Sequence, residues 1–249
     1  MNRLTKREEF WKKRAKNYEK LQWAIKSGYL HAFLDAGEFV PDDVVLDIGS
    51  GTGIIAHTVA PHTKEVIGID ISNDMLSHAF NHRTKNEIFL RMDARKLSFP
   101  DHYFSKVTAR MVFHHILTDA CKAMNECRRV LKHGGKMILS EGVPPSEAVK
   151  PFYIEMFKHK EKRLTFMEND LVGLMKNAKF KNIKTKIYRS RRSSIKNWLE
   201  NSGLPKKNQD MIMKMHLNMN DRCRRDYNFV RQGDDCLIDM KFAIVVGEK

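Results

Sequence analysis

The chain has 249 residues, 42% hydrophobic and 30% charged, a length that suits one large α/β domain with a lid and leaves little room for two catalytic domains. No run of about 18 apolar residues occurs, so no membrane-spanning helix is expected; the first ten residues lack the apolar stretch of a signal peptide, which makes the cytoplasm the expected compartment. The formal charge of +15, with basic clusters at Lys12-Lys13-Arg14, Lys158–Arg163, Lys179–Arg192, Lys206-Lys207 and Arg222–Arg225, admits RNA, an anionic small substrate or a plain solvated face. Cysteines 121, 127, 223 and 236 form no CxxC pair, and no metal site is expected.

In chain order, Glu8–Gly37 reads as two helices. Phe10, Trp11, Tyr18, Leu21 and Ala24 recur at near-helical spacing, and Lys26-Ser27-Gly28 interrupts before Tyr29–Ala36. Residues 1–40 thus form a helical arm. Pro41-Asp42-Asp43 leads into a buried strand, Val44–Ile48, then a glycine turn, a helix start after Gly53 and a second strand, Glu65–Asp70. Ser72 or Asn73 caps the next helix, which carries Met75, Leu76 and Ala79. Strands follow at Ile88–Met92, Lys106–Ala109 and, after a Gly134-Gly135 turn, Lys136–Ser140. Helical segments then run through Tyr153, Met156 and Phe157 and through Leu171, Leu174 and Met175, and strands at Asn182–Tyr188 and Met240–Val246 close the chain. Such alternation argues a mostly parallel sheet covered by helices.

Residues 41–190 and 240–249 make the expected core. The stretch 191–239 is far longer than a hairpin connection needs and reads as an inserted lid or substrate-recognition segment. Within it Ile195, Trp198 and Leu199 form one small face; Met211, Met215 and Met219 form another, with Ile212 and His216 one position round. Adaptable methionines suit an apolar pocket, and the same spacing suits ordinary core.

The densest signal is Asp47-Ile48-Gly49-Ser50-Gly51-Thr52-Gly53 with Asp70 17 residues beyond Gly53. The glycines allow positive φ and bring backbone against a ligand, and the acid can accept hydrogen bonds from a ribose diol. A dinucleotide fingerprint would place glycine at 54 and no carboxylate ahead of the turn, because pyrophosphate is anionic. Position 54 is Ile and Asp47 precedes Gly49, where it suits an ammonium. The stretch resembles motif I, D-x-G-x-G-x-G, of the class I S-adenosylmethionine-dependent methyltransferases. The resemblance implies an α/β, Rossmann-like sheet of seven strands with the last antiparallel, between strands 5 and 6, and helices on both faces. It implies S-adenosylmethionine as cofactor. It covers Val44–Glu141 well and the remainder poorly. Arg128–Gly135 resembles the R-V-L-K-P-G-G element with His133 in place of proline, and Phe104-Ser105 replaces the common Phe-Asp opening of strand 4, a departure expected to cost only a surface turn contact.

The same resemblance distributes roles. Asp47 and Gly49 are expected at the methionine moiety and Asp70 at the ribose, with Gly51 and Gly53 keeping the turn close to the cofactor. Ile71 and Met75 flank adenine, or Met75 is plain helix packing. Asp93 accepts the adenine amino hydrogen and the Ala94 NH meets a ring nitrogen, or Asp93 merely caps a turn. Thr108–Ile116 resembles the small-molecule branch, where the strand 4 terminus passes beneath the donor methyl. There Arg110 faces the methionine carboxylate or an acidic substrate, or forms a salt bridge at the sheet edge. His114 or His115 is the expected general base, since histidine titrates near neutrality without special tuning, or a packing residue. Trp11, Ala15 and Tyr18 resemble the W-x(3)-A-x(2)-Y helix of quinone and sterol methyltransferases; Tyr18 closes over the sulfonium or anchors the arm.

The expected activity is methyl transfer to a small or lipid-like acceptor, an anionic one included. An RNA methyltransferase and a non-methylating S-adenosylmethionine-binding protein are the alternatives. No Asn-Pro-Pro-Tyr or Asp-Pro-Pro-Tyr follows strand 4 and no Pro-Cys lies at strand 4 or 5, which argues against amino methylation of bases and against cytosine C5 chemistry.

Overall fold

The computed structural model describes residues 11, 12 and 14–249; the start of the expected arm, residues 1–10 and Lys13, lies outside the described residues. β1 (Val44–Ile48) sits between β2 (Glu65–Asp70) and β4 (Phe104–Arg110), parallel to both, with Asp47 opposite Gly68 on one side and Thr108 on the other. A strand paired on both edges and covered on both faces needs an almost unbroken apolar run, which Val-Val-Leu-Asp-Ile supplies apart from one acid. β3 (Glu87–Arg91) adds outside β2, and β5 (Leu131–Val143) beside β4. β8 (Asp235–Glu248) enters antiparallel between β5 and β6 (Lys181–Ser194), and the short β7 (Val230–Gln232) pairs with β8 as a hairpin. The sheet therefore holds eight strands rather than seven, in the order β3-β2-β1-β4-β5-β8-β6 with β7 on β8. The order reverses between β1 and β4, and the crevice at their carboxyl ends is where an open α/β sheet takes its ligand.

Side chains alternate across the sheet. Leu46, Ile48, Met137 and Leu139 pack with Met124 of α4 (Ala120–Val130) and Leu171 of α6 (Glu168–Asn177). On the opposite face Val45, Ile138 and Ile244 meet Phe33 of α1 (Ser27–Gly37), Ala56 of α2 (Ile54–Val59) and Tyr153 of α5 (Lys150–Lys158). That second core also takes in the helices of the insert, α7 (Ile195–Glu200), α8 (Lys206–Leu217) and α9 (Asp221–Asp226), through Trp198, Ile212 and Cys223. Both the N-terminal segment and the insert thus cover one face, above the β1/β4 crevice. Ser72 caps α3 (Asn73–Asn81), accepting from the Met75 NH at 3.3 Å.

Several expectations shift. α1 begins at Ser27, so Lys26-Ser27-Gly28 starts that helix instead of interrupting it, and Tyr18–Lys20 is a single 3₁₀ turn. Gly134-Gly135 is not a turn before β5 but part of a register irregularity within it, between the Phe104/Leu131 and Lys106/Lys136 pairs. β6 and β8 run well into 191–239, and the register break between Ser190 and Ser193 marks a bulge with Arg192 at φ 52°. A bulge bends a strand. The Arg192 NH bonds Asp239 Oδ1 there at 3.0 Å. In α8 the buried positions are Ile212 and His216, followed by Met219, while Met211 is 42% exposed; the inward face is one position round from the methionine stripe. Ser105, expected only to forfeit a contact, donates to Asp43 Oδ1 at 2.7 Å and accepts from the Val44 NH at 3.0 Å, fastening the start of β1.

Candidate active site

One cleft of about 410 Å³ runs from the glycine turn to the insert. Its floor is the β1/β4 crevice. Asp47 Oδ1 accepts from Thr108 Oγ1 at 2.7 Å, whereas Oδ2 is buried with no hydrogen bond of ordinary geometry. Burial pushes the carboxyl up to about 6 against the pull of the Thr108 and Ser50 hydroxyls. A buried acceptor without a donor points to a ligand that brings one, and an ammonium beside an acid fits. Gly49 has φ +63°, and a Cβ there would overlap Val112. Gly51 has φ +59°, and a Cβ there would meet only the Gly49 carbonyl oxygen, at 3.9 Å. Its NH donates to Asp70 Oδ2 at 3.0 Å while the Ser72 NH donates to Oδ1 at 2.9 Å. Two backbone donors orient this carboxylate at the edge of the cleft, and a carboxylate is the acceptor that a diol needs. Gly53 does not line the cleft: at φ +87° its missing Cβ makes room for the His57 ring, so its role is in the turn.

Ile71, Met75, Asp93 and Ala94 form the outer wall of this half. Asp93 is held by Arg95, whose Nη2 reaches Oδ2 at 2.7 Å and whose backbone NH reaches Oδ1 at 2.9 Å. It caps a turn and faces the cleft at once. Arg110 is not at a sheet edge, since β4 lies between β1 and β5. Its guanidinium lies 4.8 Å from the Tyr29 ring, Nη2 donates to the Ala24 carbonyl at 2.6 Å, and Nε is buried without a partner.

The other half is built on the strand 4 terminus. His114 is 2% exposed, and its Nδ1 lies 2.5 Å from Glu141 Oε2 near the end of β5. Burial pushes Glu141 up to about 7 and holds His114 well below its ordinary value, an effect that Arg163 reinforces. With Nδ1 committed to Glu141, Nε2 is the nitrogen left for a ligand. His115 lines the cleft, its ring 4.0 Å from that of His114 and edge-on to Trp11 at 4.8 Å. Tyr18 lines the cleft beside Trp23. The insert contributes Ile195, Trp198 and His216, but none of its three striped methionines.

Sequence reasoning missed Glu141 as a partner, and saw Arg14, Lys160 and Arg163 only as parts of basic clusters. Lys160 Nζ and Arg14 Nη1 bind Glu161 Oε2 at 2.7 and 2.9 Å, and Arg163 Nη1 stands 3.8 Å from Oε1. An acid at the end of the apolar strand Met137–Ser140 was the available signal for Glu141. Donor atoms of His114, His115 and Glu161 lie within 4.8 Å of one another among the described residues. Three cations already surround Glu161, so this donor set does not fit a divalent metal.

The fold is that of the class I S-adenosylmethionine-dependent methyltransferases, and the orphaned Asp47 oxygen, the uncrowded Gly51 and the anchored Asp70 fit that cofactor. Residues 46–139 match the sequence model of the family described as methyltransferase domain, and the chain is similar to proteins named as quinone methyltransferases. The uncharacterized methyltransferase YcgJ of Bacillus subtilis is 37% identical over 109 residues, 42% of this chain and 43% of that one. The demethylmenaquinone methyltransferase of Thermotoga maritima is 37% identical over 110 residues, 43% of this chain and 47% of that one. This chain thus spans about half the length of the curated relatives it matches. The solved structure of the YcgJ protein superposes with a TM-score of 0.77 over 89% of this chain and 98% of that one, at 22% identity, a likeness of fold.

Proposed function

We propose that this chain transfers a methyl group from S-adenosylmethionine to a small, lipid-like acceptor of the quinone type, seated between His114 and the insert. One observation carries the reading: the three carboxylates Asp47, Asp70 and Asp93 open into the same cleft as an aromatic chamber made by Tyr153, Phe157, Trp198 and Tyr227. When bound, the cofactor supplies an electrophilic methyl on a sulfonium. The protein's task is to hold the acceptor atom in line with that methyl and to keep water out. The arm residues Trp11 and Tyr18 and the insert cover the chamber, and residues 191–239 act as its lid. Where the acceptor must lose a proton, His114 Nε2 takes it and the Glu141 carboxylate steadies the resulting imidazolium. His115 serves as a second wall beside it.

The names of the quinone methyltransferase relatives support the acceptor class. The RNA alternative draws on net charge alone. The largest basic cluster, Lys181 to Arg192, lies on β6 at the sheet edge with its lysines and arginines exposed, where such charges block strand-to-strand aggregation. Among the described residues no helix is long and apolar enough to cross a membrane. The test is incubation of the purified chain with methyl-labelled S-adenosylmethionine and a demethylmenaquinone with a short side chain. Label in the extracted quinone, reduced in Asp70→Ala at sub-saturating cofactor, is the expected outcome. Binding of the cofactor with no transfer to quinones would leave the fold and overturn the acceptor.

A further inference from the structure

Two polar side chains of the insert line the chamber with hydrogen-bonding capacity unused. His216, in the last turn of α8, is 1% exposed and lines the cleft. Its Nδ1 lies 2.8 Å from the Ile212 carbonyl one turn back. A carbonyl oxygen only accepts, so Nδ1 carries the proton. Burial lowers the ring to about 4, which leaves it neutral near pH 7. Nε2 is therefore a lone-pair acceptor, and because Nδ1 turns back to the helix backbone, Nε2 points away from it. No described residue donates to Nε2.

Tyr227 supplies the opposite capacity. It follows α9, is 3% exposed and lines the same cleft. Burial holds its hydroxyl well above the ordinary tyrosine value, so the proton stays on, and no described residue exchanges a hydrogen bond with it. Tyr153 differs: its hydroxyl donates to the Gly142 carbonyl at 3.0 Å.

The two rings are held around one neighbour. Phe152 of α5 packs T-shaped against His216 with ring centres 5.5 Å apart and against Tyr227 at 6.2 Å, and Trp198 meets the His216 ring T-shaped at 6.3 Å. Such packing fixes where the lone pair and the O–H stand. Buried polar groups in folded proteins are nearly always paired. An unpaired acceptor and an unpaired donor in one cleft are complementary to a ligand group that both donates and accepts.

We propose that His216 Nε2 and the Tyr227 hydroxyl recognise a neutral hydroxyl on the acceptor ring, which donates to His216 and accepts from Tyr227. A quinone-type ring bears such a hydroxyl in its reduced form. The inference rests on reading the chamber as the acceptor site, and it adds the group by which the insert orients the ring. A methyl ether or a carbonyl at the same position still accepts from Tyr227 but leaves Nε2 without a donor. A site built to bond a hydroxyl rejects the analogue that lacks it, because its own buried polar group is then unpaired.

The experiment is calorimetry at pH 7 on the full chain saturated with S-adenosylhomocysteine, titrated with 1-naphthol and with 1-methoxynaphthalene. Naphthol binds about tenfold or more tighter than the ether. In His216→Phe that preference falls to within about twofold while the affinities for the ether and for S-adenosylhomocysteine hold, and His216→Gln, which keeps an acceptor, recovers part of it. Tyr227→Phe has a different signature: both probes weaken about threefold or more, and the preference for naphthol remains. Should His216→Phe not fold, the unaltered chain and Tyr227→Phe carry the test. Naphthol binding no tighter than the ether in the unaltered chain, a preference intact in folded His216→Phe, or probe affinities unchanged in Tyr227→Phe would overturn the subsite. If S-adenosylhomocysteine binds and neither probe does, the chamber reading falls and the subsite with it; equal binding of both probes strikes the subsite alone, so the two failures are distinguishable.

Discussion

Protonating Asp47 should cost the cofactor its ammonium partner. The carboxyl titrates near 6 because it is buried at the centre of the sheet with only the Thr108 hydroxyl bonded to Oδ1. Only the ionised form attracts a cation strongly. Between pH 7 and pH 5 the ionised fraction falls from about nine-tenths to about one-tenth. S-adenosylmethionine affinity should therefore weaken by about tenfold, or ~1.4 kcal/mol, across that interval. A bound ammonium favours the carboxylate and lowers its pKa, so binding below neutrality releases a proton. The ligand's own α-amino group, ordinarily near 7.7–8.0, stays charged throughout. Titration calorimetry from pH 5 to 7.5 in two buffers of different ionisation heat measures both the affinity and the proton. Asp47→Asn should bind with an affinity near the low-pH value and show no limb, and Thr108→Val, which removes the bonded donor, should move the limb to higher pH.

The same group links stability to pH with a definite sign. Its folded pKa lies above the unfolded value, so its contribution is fully present below about 3.8 and is lost as pH rises through about 6. The ligand-free Asp47→Asn protein should consequently be more stable than the parent at pH 7, by at most ~3 kcal/mol. A flat affinity profile in the parent, or an Asp47→Asn profile with the same limb, refutes the assignment of the ammonium to Asp47.

Asp70→Ala should weaken cofactor binding by about tenfold or more while the fold persists, because the carboxylate lies at the cleft and is held by two backbone NH groups, of Gly51 and Ser72, outside the hydrophobic core; unchanged calorimetric affinity would remove the ribose role. With an acceptor whose pKa lies well above the assay pH, His114→Gln should lower kcat/KM by roughly 10² to 10⁴ and abolish the acidic limb, and Glu141→Gln should displace that limb, since Glu141 titrates near 7 beside it; a full rate in His114→Gln returns the imidazole to packing. Trp198→Ala should raise acceptor KM and leave cofactor affinity intact, with a loss of up to about 3–5 kcal/mol in denaturant stability from the cavity beside Phe157 and His216; equal loss of cofactor binding would place the insert over the wrong half of the cleft.

The local sequence determined β1 and β2 to the residue, because a doubly buried parallel strand needs a continuous apolar run and a glycine turn marks its end. It brought Asp47, Gly49, Gly51 and Asp70 to one cleft for the same reason: they come from two adjacent β–turn units, so their spacing along the chain is nearly their spacing in space. The other half was decided by tertiary structure. Glu141 meets His114 only because β5 runs parallel beside β4, and Glu161 gathers Arg14 from 147 positions away. Residues in a basic cluster look alike along a chain; only packing separates Lys160 and Arg163, buried on Phe157, from the exposed cations of β6. The insert shows the limit most plainly. A methionine stripe and an isoleucine–histidine stripe one position apart differ by about 100° around a helix, and the choice between them belongs to the surface the helix packs against, which put His216 and not Met215 over the cleft.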